Sequence, residues 1–569
     1  MSSRSSVYQE FRTNAALTKE AEDEVRRTMG RTLKKLDAVE MEIARLQNRL
    51  VVLGRREQET KHFIEVHEGF LSPIRRLVPE ILQVIFWLCL PVAHNSVLSA
   101  KEAPLLLGRV CSQWRRIAYS TPKLWCSLHI AVPPLTYPQA QAMFEASEAW
   151  ITRSGILPLS ISISDFEQME VSEGQFRPYF ELITKHARRW KTIHLHVPLC
   201  DIKDFLMQLD VDRYPILEGF HTDQGTLGEV GTLDVALWKK DGILAAPSLR
   251  VLSINNLSKR LFDLPVRWNL LTGLDLMYSD RHEVFKLLSL CSNLEMCALH
   301  LDISDLPYSN SQFFDDSGPN VVLSKLRTLK ITGGSGYNSL IPINTLSTPA
   351  LRHFAYFHTY KGRVYPYPDF SVTSNVFRSF FERLNQPLEE LEFETDSAPV
   401  ELLMELLSFL PDLKRLSLIH TSVLCYSPSP FGDCLLLGFI PSEHRSHCQS
   451  CLSEADNVGD FNLSYPLSSP CLCPNLEILN VARACLSKHV LFEYLRSRLV
   501  DYDKYNVTRL RRFSVSFMTS VEDYEMMEEI DDGWVDELGL VVKLGDKSLA
   551  TVGETSSPSE PPCIYFAGI

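Results

Sequence analysis

The sequence predicts an α/β protein, α+β overall, in which N-terminal helices precede a solenoid of strand–helix repeats with a parallel sheet. Three observations lead to this fold class. A long stretch near the N-terminus carries apolar residues at heptad spacing, two short amphipathic helical patterns follow it, and an apolar pattern typical of strands then recurs along most of the chain. With 569 residues, the chain is long enough for several domains and a sizeable core.

Composition and net charge limit the classes of partner that we expect this chain to bind. The hydrophobic content of 45% with 22% charged residues is ordinary for a soluble protein. A net charge of −13 argues against a nucleic-acid partner, because binding to the phosphate backbone rests on clustered Lys and Arg. The longest apolar run, residues 81–93, is too short to span a bilayer and no signal-peptide pattern is found, so we expect no membrane partner and a cytoplasmic or nuclear location.

The N-terminal region is predicted to form one long helix. Residues 1–16 are polar and predicted to be disordered, and residues 17–68 are assigned to a coiled-coil helix. Its seam alternates steps of three and four residues at Leu36, Val39, Ile43, Leu46, Leu50 and Leu53. Two interpretations remain open: residues 25–64 pair two chains as a homodimer, or the helix folds back onto the module that follows.

A second helix is predicted to begin at Pro79, which suits the first helical position because its missing N–H has no partner there in any case. Ile81, Leu82, Ile85 and Phe86 then follow at helical spacing.

A third helical pattern covers residues 105–118, with Leu106, Val110, Trp114 and Ile117 on one face and Cys111 expected in the core. Thiols within apolar patterns of this kind fit a reducing compartment.

This order of residues resembles an F-box of the kind found in fungal F-box proteins. The matching residues are Leu77, Pro79, Glu80, Ile81, Leu82, Ile85, Phe86, Leu90, Pro91, Val110, Cys111, Trp114, Arg115, Ile117, Ala118, Pro122, Leu124 and Trp125. The sequence departs from the pattern at Val78, where many members carry proline. The alternative is a pair of amphipathic helices in an ordinary helical domain.

The resemblance implies a three-helix module, assigned to residues 69–130, that binds the Skp adaptor of a cullin-based (SCF) ubiquitin ligase. The residues expected to carry adaptor binding or the core of the module are Leu77, Pro79, Ile81, Leu82, Ile85, Val110 and Trp114.

Repeats are predicted to fill the chain beyond this module. Residues 131–156 read as a proline-rich linker and a helix over 139–154, and residues 157–163 alternate as a strand does. The phrase apolar-x-x-apolar-x-apolar then recurs. Its copies begin at Trp190, Leu217, Leu249, Leu271, Leu294, Leu326, Leu351, Leu388, Leu413, Leu476 and Leu510.

The spacing of these copies is typical of leucine-rich repeats. Helical runs lie between them, at residues 176–186, 283–290, 376–384 and 400–410, so each repeat is interpreted as a strand plus a helix. Stacked repeats bury the apolar faces that one unit cannot bury alone. We therefore assign residues 157–518 to a solenoid with a parallel sheet on its concave side, similar to the repeats of other F-box proteins; an ordinary α/β domain is the alternative.

A cysteine-rich insert, residues 419–475, interrupts the repeats. Cys448 and Cys451 precede Cys471 and Cys473, and tetrahedral zinc takes such ligands. The single spacer of the second pair is a poorer chelate, and Cys473 opens the next repeat. We interpret the insert as a flexible segment with incidental thiols and expect no cofactor, while a closed structural zinc site on these four cysteines remains the alternative.

Catalytic motifs are not found: the sequence contains no phosphate-binding loop, no dinucleotide fingerprint, no zinc-protease helix and no nucleophile elbow. His194 and His196 share one face of a predicted strand, where contact with a ligand competes with a purely structural role. Residues 519–569 are assigned to an acidic segment and a disordered tail; the acidic part, 519–537, either docks a basic partner or is a solvated loop.

These features together predict a non-catalytic substrate receptor of an SCF-type ubiquitin ligase. The F-box would bind the Skp adaptor and through it a cullin, and the repeats would bind a target protein. Such a receptor performs no chemistry itself and contributes proximity between the target lysine and the loaded conjugating enzyme. Two rivals are a coiled-coil and repeat scaffold acting outside ubiquitination, and a metal-binding or enzymatic protein built around the cysteine-rich insert.

Overall fold

The structure, a computed structural model, describes most of the chain. The described residues are 18–134, 137–165, 174–209, 214–223, 238–254, 261–278, 281–301, 321–332, 340–357, 370–395, 398–419, 431–447, 470–484, 486, 488–517 and 541–544. The polar N-terminus 1–16, the pair Cys448 and Cys451, and the acidic segment 519–537 lie outside these residues.

Helices and strands alternate along most of the described chain. The α-helices are α1 Lys19–Leu71, α2 Pro79–Leu88, α3 Leu107–Val110, α4 Ser112–Tyr119, α5 Ala140–Arg153, α6 Arg177–Thr184, α7 Leu199–Gln208, α8 Arg281–Leu288, α9 Ile341–Thr345, α10 Phe370–Glu382, α11 Val400–Ser408, α12 Asp433–Gly438, α13 Ser442–His447 and α14 Lys488–Leu499. The chain divides into two compact units, Met1–Ile85 and Phe86–Ile569, and the division falls within α2.

One large parallel sheet dominates the second unit. The strands are β1 Ser127–Val132, β2 Leu159–Asp165, β3 Trp190–His196, β4 Gly219–Asp223, β5 Val251–Ile254, β6 Gly273–Tyr278, β7 Met296–Leu301, β8 Val321–Val322, β9 Thr328–Thr332, β10 Leu346–Ser347, β11 His353–Phe357, β12 Glu390–Glu394, β13 Arg415–Ile419, β14 Ile478–Ala484, β15 Arg512–Phe517 and β16 Val541–Leu544. Fourteen of them form the sheet in chain order, while β8 and β10 pair separately. The mixed helix and parallel-sheet class predicted from the sequence is confirmed.

Helix α1 is a single helix of 53 residues, about 80 Å long at 1.5 Å per residue. The Thr18 hydroxyl accepts a hydrogen bond from the Ala21 N–H at its start, which satisfies one of the donors that a helix N-terminus leaves free. The seam residues on this helix are exposed.

The prediction of one continuous helix over residues 105–118 is wrong. Two short helices, α3 and α4, are separated by Cys111, whose backbone is extended at φ −157°. The Cys111 sulfur accepts a hydrogen bond from the Trp114 N–H at 3.4 Å, so the residue caps α4. The core position expected for Cys111 is also wrong, since its side chain is exposed.

The sheet begins earlier than the sequence interpretation placed it. Strand β1 pairs in parallel with β2, with Leu128 opposite Ile161 and Ile130 opposite Ile163. The linker predicted to begin at residue 131 therefore starts inside a strand that runs to Val132. Residues 127–132 alternate half-buried and buried positions, and the prolines that follow obscured this alternation in the sequence.

The recurring apolar phrase supplies the core of the sheet. In the phrase that starts at Leu249, for example, Leu249, Leu252 and Ile254 are all buried, and the same holds for Leu271, Leu274 and Leu276 in the next copy. The predicted helical runs are present as α6, α8, α10 and α11. Among the described residues of the connections from β4 to β5 and from β5 to β6, the only helical elements are short 3₁₀ turns.

Candidate protein-binding surfaces

Helix α2 is apolar on more than one face. It begins at Pro79 as predicted. Leu82 and Phe86 are buried, whereas Ile81, Val84 and Leu88 are about half exposed or more and follow one another at steps of three and four residues, which places them on one face of the helix. Exposed apolar groups that recur on one face mark a surface for a protein partner.

The other F-box residues divide between exposed and covered positions. Pro79 is exposed, Leu77 and Ile85 are half-buried, and Val110 on α3 is 58% exposed. Trp114 is half-buried, and its ring lies 4.8 Å from the ring of Phe86. Of the residues predicted to carry adaptor binding or the core, Pro79, Ile81 and Val110 are therefore available to a partner, and Leu82 belongs to the core.

A second candidate surface is a row of side chains that crosses the sheet. In each strand, one residue lies between the last two apolar positions of the phrase. Because the strands are parallel and in register, this residue lies beside its counterpart on the next strand. We call this the central row. Its members are His129, Ser162, His194, His221, Ser253, Asp275, Ala298, Lys330, Ala355, Glu392, Ser417, Asn480 and Ser514.

The central row is polar at all positions but Ala298 and Ala355, whereas the neighbouring row on the opposite face of the sheet is apolar. That apolar row runs, for example, from Leu252 through Leu274 to Cys297. Side chains alternate between the two faces of a strand, so the central row lies on the face opposite the buried core. The sheet therefore presents a line of hydrogen-bonding and charged groups across the repeats.

At the first strands the row is a hydrogen-bonded network of neutral groups. The His129 Nδ1 atom lies 2.9 Å from the Ser162 hydroxyl oxygen, and the Asn95 amide donates to the same oxygen at 3.0 Å. The Ser127 hydroxyl in turn donates to the side-chain oxygen Oδ1 of Asn95 at 2.8 Å. Because each group has a defined partner, this part of the surface is preorganised.

Histidines on neighbouring strands oppose each other's protonation. The His194 and His221 rings lie 5.1 Å apart. Burial, and then the neighbouring His194, lower the pKa of His221 to about 3, and burial followed by His194, His94 and His196 lowers the pKa of His129 to about 4. Both imidazoles are therefore neutral at pH 7.

The middle of the row carries a negative charge. Asp275 accepts a hydrogen bond from the Ser253 hydroxyl at 3.0 Å, and its other carboxylate oxygen lies 2.9 Å from the His300 Nε2 atom. Burial favours the neutral acid, but His300 and Ser253 outweigh it and lower the pKa of Asp275 below its ordinary value. The carboxylate stays ionised among partly buried groups.

The later strands carry charges of both signs. The Glu392 carboxylate lies 3.6 Å from the His353 Nε2 atom, and the contact with His353 lowers the pKa of Glu392 against the effect of burial. Arg415 contacts Glu390 at 2.9 Å. Lys330 is buried, with its ammonium 4.9 Å from the centre of the Phe357 ring. This half of the surface suits recognition by ion pairs, and the first half suits recognition by neutral hydrogen bonds.

The two described cysteines of the alternative zinc set have structural partners. Cys473 is buried, which raises the pKa of its thiol to about 12, and its thiol donates to the Leu407 carbonyl at 3.8 Å. The Cys471 thiol donates to the Phe439 carbonyl at 3.2 Å. Among the described residues, no three His, Cys, Asp or Glu side chains are grouped to hold a metal ion; Cys448 and Cys451 fall outside them.

A buried arginine organises the end of the insert. The Arg498 side chain has no exposed surface and donates to the carbonyls of Pro474, Phe439 and Cys473 at 2.8, 3.0 and 3.2 Å. Its guanidinium group thus joins α14 to two chain segments of the insert. Of the residues in the central row, only His194 was identified from the sequence. Arg498 was not identified from the sequence either.

No helix among the described residues combines the length and the hydropathy that crossing a bilayer requires. No protein-family model matches this chain, and no curated protein matches it. Among solved structures, the crystal structure of a Bacteroides fragilis protein matches with 14% identity over 72% of this chain and 84% of that chain, at a TM-score of 0.26. A similarity of this extent does not indicate a function.

Proposed function

We propose that this protein is a substrate-recognition subunit of an SCF-type ubiquitin ligase. In this proposal an F-box binds the Skp adaptor, and through it a cullin, while a leucine-rich-repeat solenoid binds a target protein. The proposal assigns no catalytic residue to the chain. A receptor of this kind acts by holding a target lysine near the loaded conjugating enzyme, so that transfer becomes effectively intramolecular.

The exposed apolar face of α2 is the observation that carries the adaptor part of the proposal. Ile81 and Val84 are each about half exposed, in the same segment whose residue order resembles an F-box. Burial of apolar surface is the dominant favourable term in most protein–protein association. An adaptor that covers Ile81 and Val84 would remove this apolar surface from water, which is favourable by roughly 25 cal/mol for each Å².

The central row supports the second part, recognition of a target. Its groups are held in place by hydrogen bonds and ionic contacts across neighbouring strands, as between Ser253 and Asp275 or Glu392 and His353. Such a surface gives specificity through matched donors, acceptors and charges. We therefore assign target binding to the face of the sheet that carries the central row.

Co-purification with the host's Skp adaptor tests the proposal. The unaltered chain should form a stoichiometric complex, and the double variant Leu77→Asp with Ile81→Asp should lose it, because two carboxylates would be buried without partners at the interface. A matched control is Ile156→Asp, since Ile156 is 91% exposed outside the F-box segment; its complex should be unchanged.

Either of two results overturns the assignment. One is unchanged adaptor binding by the double variant, and the other is equal loss in the Ile156→Asp control. Circular dichroism and urea unfolding of all three proteins check that the repeat region stays folded. If the folded unaltered chain does not bind the adaptor, the scaffold acting outside ubiquitination becomes the leading interpretation.

A further inference from the structure

The seam of α1 is an exposed apolar stripe. Its six residues, Leu36, Val39, Ile43, Leu46, Leu50 and Leu53, range in exposure from 46% at Leu53 to 68% at Leu50. A stripe of this narrow width, with apolar residues two to a heptad, is the geometry of a coiled-coil seam. In water such a stripe favours association with a second helix of matching periodicity.

The residue types of the central heptad favour two parallel strands. The spacing places Leu36, Ile43 and Leu50 at the first core position of each heptad, and Val39, Leu46 and Leu53 at the second. A β-branched residue at the first position with leucine at the second favours parallel dimers. The central heptad, Ile43 followed by Leu46, has this combination, whereas the first heptad has leucine followed by valine and the last has leucine at both positions.

Charges beside the seam favour a second copy of this chain in the same orientation. Lys35 directly precedes the core residue Leu36, and Glu40 directly follows the core residue Val39. In a parallel, in-register pair, the residue that precedes the first core position of a heptad faces the residue five places further along on the partner helix. Lys35 of each copy therefore faces Glu40 of the other, and symmetry makes this attractive pair twice.

The other positions that flank the seam between Leu36 and Leu53 add no repulsive pair. By the same rule Glu42 faces Gln47 of the second copy, and Arg49 faces Gly54. Within one helix, Glu42 is already paired with Arg45 at 3.5 Å. Among the described residues neither Lys35 nor Glu40 forms an ion pair, so both remain available to a partner.

The opposite orientation gains less from charge than the parallel one. In an antiparallel pair with Leu36 opposite Leu53, residues before the first core position face each other. Lys35 would then lie against the basic Arg56 of the second copy, while Glu42 would lie against Arg49. The repulsive and attractive pairs offset each other, whereas the parallel pair has only the attractive contact of Lys35 with Glu40 between residues 35 and 54.

We propose that α1 pairs with α1 of a second copy of this chain as a parallel, in-register coiled coil over residues 36–53, oriented by the contact of Lys35 with Glu40 of the second copy. This inference goes beyond the proposed receptor function and is independent of it. The protein would then act as a dimer with two copies of every surface described above, which raises avidity for a partner that presents two sites.

Sedimentation equilibrium of the full chain at micromolar concentrations tests the dimer. The unaltered chain should sediment as a dimer, and Ile43→Asp with Leu46→Asp as a monomer, because the seam would then place unpaired carboxylates in the interface. The substituted side chains are exposed in one copy, so the fold of the second unit should be unchanged. A monomeric unaltered chain, or a dimer that survives the double substitution, would overturn the proposal.

Charge reversal tests the orientation. Lys35→Glu and Glu40→Lys should each weaken the dimer about tenfold, since two attractive pairs become repulsive. Mixing the two variants should restore a heterodimer of the original affinity, because positions 35 and 40 then carry opposite charges again at both contacts. Lys34→Glu, one position further from the seam, is the matched control and should leave the affinity unchanged. An unchanged Lys35→Glu dimer, or failure of the mixture to recover, would contradict the parallel register.

Discussion

The His300 Nε2 atom lies 2.9 Å from one carboxylate oxygen of Asp275, while the Ser253 hydroxyl donates to the other oxygen at 3.0 Å. The three residues belong to β7, β6 and β5, so one carboxylate links three neighbouring repeats. Burial alone would raise the pKa of Asp275, but the contacts with His300 and Ser253 lower it. The central row is therefore a set of coupled groups that also contributes to the stability of the sheet.

Replacing this carboxylate tests that coupling. Asp275→Asn keeps the shape but removes the charge that His300 and Ser253 face, and we expect it to cost about 2 kcal/mol of unfolding free energy. The matched control is Asp263→Asn, because Asp263 is exposed; its cost should stay within about 0.5 kcal/mol. Urea midpoints of the two variants measure the difference. Equal costs would show that Asp275 is only a surface carboxylate.

Stability should fall as the pH falls below about 6.5. The pKa values of His129 and His221 are lowered to about 4 and about 3 in the folded protein, whereas an unfolded chain protonates histidine near pH 6.5. Between these pH values the unfolded state binds protons that the folded state does not, so each histidine lowers stability by about 1.4 kcal/mol per pH unit of acidification.

Urea midpoints measured from pH 7.5 to pH 5 test the sign of this effect. The double variant His129→Gln with His221→Gln should show a shallower decline than the unaltered chain, since neither site can then be protonated in the unfolded state. The same slope in both proteins would mean that the two imidazoles are not held neutral by the fold.

The buried guanidinium of Arg498 should matter far more than its neighbour on α14. Arg498→Met leaves the carbonyls of Pro474 and Phe439 without the donors seen in the structure, and we expect a loss of about 3 kcal/mol or more. Arg496→Met is the control, because Arg496 is exposed and forms a surface pair with Asp501; its cost should be below about 1 kcal/mol. Similar thermal midpoints for the two variants would contradict the anchoring role.

Most of the sheet could be predicted from the sequence because the apolar positions of the recurring phrase are the residues that are buried in its core. Its first and last apolar positions, such as Leu249 and Ile254, are buried in the core, and the strands follow the phrase in chain order. The central row could also have been predicted from the sequence. The residue between the last two apolar positions of every copy, such as Ser253 and Asp275, lies in this row, and aligning the copies by that position would have revealed it.

Other features depended on geometry that periodicity does not report. The break at Cys111 keeps helical spacing on both sides, so the apolar pattern continues across an extended residue. The donors of Arg498 meet carbonyls from two chain segments that are remote in sequence, including Phe439. Exposure of Ile81 and burial of Leu82 likewise follow from packing, since both are apolar and adjacent.

Calorimetric titration of the full chain with its host's Skp adaptor tests the central claim most directly. The receptor account predicts a saturable complex with one adaptor per chain, and a negative heat-capacity change because Ile81 and Val84 on α2 are exposed in the free chain and would become buried in the complex. A folded chain that gives no binding heat at any of several temperatures and forms no complex on sizing would contradict the account.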